Sequence, residues 1–226
     1  MVNIDCILIL DFLNMYAGRE YKKPDKIKDD YNKEEMKKIA QAGKESANEF
    51  EKLVRICDQL EGYKIFHTKK WLDGSNTRVR KYFWAELKKA DREHYPTSIS
   101  IFAENIDGEG VRFRFSIELK ENESEKRHYY KHHCFLDMDI SKAEVPLRYY
   151  SGGNNDGTLR ELRISSKKIK MDLSIGKYRK VQLSNTLTRT EIEEKRLTNE
   201  DIINKMLIAV KALEPYYERV IYNIAV

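Results

Sequence analysis

The sequence predicts an α+β fold, an antiparallel sheet packed by helices from both ends of the chain, as a single domain over 1–226. Three observations predict it. Val111, Phe113, Phe115, Ile117 and Leu119 alternate with Arg112, Arg114, Ser116, Glu118 and Lys120, a period of two that sets one dry and one wet face on a strand. A second run over 97–104 joins it across Asp107, Gly108 and Gly110, residues suited to a hairpin turn. Apolar positions near both termini repeat at helical spacing.

The elements follow in order. Ile4, Ile7, Leu8, Phe12 and Tyr16 mark an amphipathic first helix. Asp5 before the apolar stretch CILIL and Asp11 just after it argue against a secretory signal. A polar connector over 19–30 leads to a long helix capped by Asn32, its stripe running from Met36 through Phe50 to Leu60. Gly43 is expected to bend or split this helix and Gly62 to end it. A short strand is expected over 63–66, and a helix over 77–90 with Val79, Phe83 and Leu87 on one side. After the hairpin, 123–140 reads as helix, with its HYYKHH run also compatible with extended chain, SGGNNDG over 151–157 as a flexible loop, and 159–165 and 178–183 as strands. Thr198 and Asp201 form a capping box for the last helix, which Pro215 should break or kink.

With 226 residues, 41% of them hydrophobic, the chain can bury a core without staples. Cys6, Cys57 and Cys134 are odd in number and far apart, which suits a reducing cytoplasm. No apolar run approaches the roughly 20 residues that span a bilayer, so no membrane partner is expected. The net charge is only +5, yet it gathers in two basic blocks, 64–92 and 163–180. Such blocks suit a phosphate-facing surface, and equally a solvated one.

Candidate chemistry is sparse. There is no nucleophile elbow, P-loop or dinucleotide fingerprint, so no catalytic residue and no cofactor are assigned. His128, His132 and His133 beside Cys134, with Asp137 and Asp139 nearby, have part of a metal site's chemistry. Asp107 followed by Glu118-Leu119-Lys120 matches the carboxylates and lysine of metal-dependent nucleases, but the E-x-K tripeptide recurs elsewhere in this chain. The leading expectation is nucleic-acid binding: Arg78, Lys81, Arg112 and Arg114 on phosphates, with Trp71 or Tyr82 stacking on bases.

The run WLDGSNTRVRKYFWAELK, then SISI, FSIEL and HYYK, resembles a family of small bacterial proteins without an assigned activity. The order of helices, strand pair and closing helix is similar to McrB-type N-terminal domains, which recognise modified DNA by extruding a base. Their glycine-tryptophan segment is replaced here by YFWAELKK. Together these readings imply a non-catalytic DNA-binding module of a bacterial accessory or defence system. The alternatives are a metal-dependent hydrolase and a protein-interaction module, with a protein partner or a second copy of the chain.

Overall fold

The computed structural model describes residues 4–67, 70–120, 126–152 and 159–225. The fold is α+β, built on one seven-stranded antiparallel sheet in the order β1-β2-β3-β4-β7-β5-β6. The strands are β1 (Tyr63–His67), β2 (Tyr82–Lys89), β3 (Thr97–Ile106), β4 (Gly110–Leu119), β5 (Arg148–Gly152), β6 (Arg160–Leu162) and β7 (Lys180–Thr188). The helices are α1 (Cys6–Tyr16), α2 (Asp30–Arg55), α3 (Lys126–His132), α4 (Ser166–Ser174), α5 (Arg189–Glu194) and α6 (Asn199–Ala225). Among the described residues, no helix is long and apolar enough to cross a membrane.

The β3–β4 hairpin forms as its sequence predicts. Ile106 pairs with Gly110 across a turn where Gly108 and Gly110 take φ of 81° and 82°, a region that glycine enters without strain. Val111, Phe113, Phe115, Ile117 and Leu119 are all buried. Against this face lie α1 and α6, with α2 packed on α1. Phe83 of β2 joins the layers, its ring 5.5 Å from Phe50 and 5.9 Å from Phe12. Each such ring contributes about 1.5–3 kcal/mol by leaving water.

Several expectations change. Residues 82–89 form a strand, not part of a helix: Phe83, Ala85 and Leu87 are buried in the core, and Glu86 pairs with Ser100 of β3. The cap of α2 is Asp29, which accepts from the Asn32 N–H at 2.8 Å. Gly43 neither bends nor splits α2. It makes room for Trp71, whose ring would stand 2.4 Å from a Cβ there. The long helix stops at Arg55, a 3₁₀ turn covers Ile56–Gln59, and Gly62 follows with a φ of 78°. Of the helix expected over 123–140, 123–125 lie outside the described residues, Lys126–His132 form α3, and His133–Asp137 form a 3₁₀ turn. In the loop expected over 151–157, Ser151 and Gly152 belong to β5, and the rest lies outside the described residues.

The strand expected over 159–165 narrows to β6, and α4 follows, capped by Ser165. The capping box is present: Asp201 N–H donates to Thr198 Oγ1 at 3.2 Å, and Thr198 N–H to Asp201 Oδ2 at 2.9 Å. From it, α6 runs through Pro215 as one helix.

Candidate functional site

The far face of the sheet carries the polar half of the alternation. Glu104 and Arg112 pair across β3–β4, and so do Phe102 and Arg114. Ser116 lies beside Ser184 of β7, their hydroxyls 2.8 Å apart. This face is polar but not wet. Arg112, Arg114 and Glu104 are each 4% exposed, and Ser100, Ser116 and Ser184 are fully enclosed.

Charges of opposite sign alternate along it. Arg112 donates through Nη1 to Glu109 at 2.8 Å and through Nε to Glu104 Oε1 at 2.8 Å. Arg114 grips both oxygens of Glu104, at 2.9 and 3.0 Å, and lies 4.0 Å from the Phe102 ring centroid. Gln182 accepts from Arg114 at 3.0 Å and donates to Glu118 Oε1 at 2.7 Å. Lys180 donates to the same oxygen at 2.6 Å. Burial pushes the Glu104 carboxyl up, but the two guanidiniums and their hydrogen bonds outweigh it and hold the group below the usual glutamate range. Burial opposes the charge on Arg114 too, and Glu104 restores it, raising its pKa.

A cleft of about 600 Å³ opens over one side of this face. Lys81, Tyr82, Phe102, Arg114, Glu118 and Gln182 line it, together with Gly152 and Arg160. A Cβ at Gly152 would meet Gln182 Nε2 at 2.9 Å, so a larger residue there would push the Gln182 amide aside. Tyr82 is 43% exposed, and Lys81 Nζ reaches Asp107 at 2.7 Å on the rim. Glu118 Oε2 and Arg112 Nη2 are buried without a hydrogen-bond partner among the described residues.

Of the six residues selected from the sequence, the cleft brings together Lys81, Tyr82 and Arg114, and Arg112 joins them through Glu104. Two lie elsewhere. Trp71 is a core residue, its ring edge-on to Tyr21 at 4.9 Å and Phe12 at 6.3 Å, so it cannot stack on a base. Arg78 is exposed, 3.8 Å from Glu20, and lines a separate cleft with Lys22, Lys26 and Lys28. The expected open arginine patch is absent, because Glu104 already engages both Arg112 and Arg114.

The two basic blocks also disperse into pairs. Lys64 meets Glu93, Lys88 meets Glu86, and Lys168 and Lys177 share Asp172. Sequence reading missed Glu104 and Gln182, the residues that organise the face. Glu104 was visible as a carboxylate one cross-strand step from Arg112, whereas Gln182 had no local signal.

The other constellations do not assemble. His132 Nε2 donates to Val181 O and His133 Nε2 accepts from Val181 N–H, both at 3.0 Å, so the pair clamps β7. Burial, with Lys180 nearby, lowers His133 to about 4 and His132 well below its usual value. Asp107 binds Lys81, and Lys120 binds Glu86 at 2.8 Å, so the nuclease triad is dispersed. Among the described residues, no group of three His, Cys, Asp or Glu side chains is placed to hold a metal ion. Compared with family models, curated proteins and solved structures, the chain matches none.

Proposed function

We propose that this chain is a non-catalytic nucleic-acid-binding module that takes one unpaired nucleotide into the cleft over β3 and β4. The observation that carries the reading is the convergence of Lys81, Tyr82 and Arg114 on one cavity of about 600 Å³. That size lies within the usual range for small-ligand sites. Tyr82 offers an exposed ring for stacking at the mouth. Inside, Arg114, Gln182 and Glu118 present donors and acceptors of fixed geometry, which suit the edge of a base better than a bare phosphate. Glu118 Oε2 has no hydrogen-bond donor among the described residues, and a ligand N–H would supply one. The resemblance to domains that extrude a base points the same way.

Because the buried arginines are already neutralised, contacts to phosphate rest on rim cations such as Lys81. The salt dependence should therefore be shallow, with a slope of about −1 to −2 in log K against log salt. Fluorescence anisotropy with short single-stranded and duplex oligonucleotides tests this. Single strands should bind more tightly than duplex, and Tyr82→Ala should weaken them by about 1–3 kcal/mol. Absence of binding, or a Tyr82→Ala variant that binds as well as wild type, would refute the reading.

A further inference from the structure

A second cavity, of about 760 Å³, lies between α3, the His133–Asp137 turn, α4 and the residues that lead into β7. None of its lining residues belongs to the cleft over β3 and β4. Its walls are mostly apolar and aromatic, with Tyr129, Tyr130, Tyr178, Leu136 and Leu173 in the lining. The charged groups there are already engaged. Lys170 pairs with Asp137, and Arg179 has partners of its own, its guanidinium 5.8 Å from the Tyr129 ring centroid. The polarity of a ligand is therefore set by neutral groups, and two stand on this wall. The Tyr129 hydroxyl is buried without a hydrogen-bond partner among the described residues. His133 is held as a neutral ring, because burial opposes its charge. Its Nε2 accepts from the Val181 N–H at 3.0 Å, so its one proton is on Nδ1. The clamp on β7 thus fixes the tautomer and makes the other ring nitrogen a donor.

We infer that this cavity binds an uncharged planar aromatic molecule that carries a carbonyl group, an aryl ketone. The tyrosine rings and leucines receive the apolar plane, which gains by leaving water and by stacking. The carbonyl oxygen has two lone pairs for the donors on the wall, the Tyr129 hydroxyl and the His133 Nδ1–H. A buried hydroxyl left without a partner costs free energy, and the ligand removes that cost. An anion would give up its hydration to a wall whose cations are engaged already. A metal ion would find Asp137 committed to Lys170. A cavity of this size accommodates about two or three fused rings.

The test uses the full chain and 6-propionyl-2-(dimethylamino)naphthalene, an uncharged aryl ketone whose emission moves to longer wavelength when its carbonyl accepts a hydrogen bond. Two controls are 2-(dimethylamino)naphthalene, which has the same rings and no carbonyl, and the anion 8-anilinonaphthalene-1-sulfonate. The ketone should bind saturably at one site, about tenfold more tightly than either control, the worth of one hydrogen bond in a dry setting. Tyr129→Phe removes only the unpartnered hydroxyl, so the variant should melt as wild type does. It should weaken the ketone about tenfold, shift its bound emission to shorter wavelength and leave the carbonyl-free probe unchanged. Ser174→Trp, at an exposed position in the lining, should block both uncharged probes. Equal affinity for the ketone and its carbonyl-free parent, or a Tyr129→Phe variant that binds the ketone as wild type does, would overturn the hydrogen-bonded carbonyl. Tighter binding of the sulfonate would overturn the uncharged class. Fluorescence that never saturates, or a Ser174→Trp variant that titrates as wild type, would overturn the site itself.

Discussion

Glu104→Gln removes one negative charge from between two buried guanidiniums while keeping the side chain's size. In the folded protein Glu104 accepts three hydrogen bonds, at 2.8, 2.9 and 3.0 Å, and both arginines it serves are 4% exposed. The amide keeps one acceptor oxygen and places an NH2 group against a guanidinium. Breaking a buried ion pair on one side costs about 3–5 kcal/mol, because the remaining charge stays out of water. For a chain of this length that corresponds to a melting temperature lower by about 10 °C. Urea denaturation followed by circular dichroism measures it directly. A loss smaller than about 1 kcal/mol would show that Arg112 and Arg114 are solvated and that the alternating network does not hold this face.

The triple change Glu104→Leu, Arg112→Leu and Arg114→Met should restore most of the stability, since apolar replacements remove the desolvation problem together with the charges. Acid acts on the same carboxylate. Its folded pKa lies below the ordinary 4.5, so its contribution is complete above about pH 4.5 and is lost as pH falls through the folded value.

Three further outcomes are expected. His133 is held near 4 against an ordinary 6.5, so the folded state resists its protonation. His133 alone should lower stability by about 3 kcal/mol as pH drops from 6.5 to about 4, and His133→Asn should make the slope shallower, with the His132 contribution remaining, in urea titrations at several pH values. Gly43→Ala would ordinarily strengthen a helix interior, yet here its Cβ meets the Trp71 ring at 2.4 Å. A destabilisation of about 1–3 kcal/mol is expected in a thermal melt, and a stabilised variant would mean that the ring is not seated there. Thr198→Ala breaks the capping box of α6 and should cost about 1 kcal/mol, read as a shift in the urea midpoint.

The sheet was legible where polarity and geometry agree. In β3 and β4 a period of two, a turn with glycine at Gly108 and Gly110, and strand-forming residues all point one way, and the dry face came out residue by residue. Its partner face was legible in composition but not in exposure. Alternation reports which side chains are polar; it does not report whether charges on neighbouring strands neutralise one another. Only the register that sets Glu104 against Arg112 reveals that.

β2 was misread because Ala85, Glu86, Leu87 and Lys88 are helix-forming residues, while Phe83, Ala85 and Leu87 also satisfy a strand's period. Tertiary pairing with β3 decided between the two. Of the cleft, Lys81, Tyr82 and Arg114 were found by residue type alone, whereas Gln182 entered from far along the chain and was invisible to any local pattern.

That distance has a kinetic consequence. β7 joins β4 through pairs separated by 66 residues at Ile117 and Leu183 (183 − 117) and by 76 at Arg112 and Thr188 (188 − 112). Hairpins such as β3–β4 close over far shorter loops and should form early. Gln182 and Lys180 therefore reach Arg114 and Glu118 only once the remote strand has docked, near the end of folding. Substitutions at Gln182 should speed unfolding and scarcely alter the refolding rate, so the lifetime of the folded protein, more than its speed of assembly, is set by the last strand to arrive.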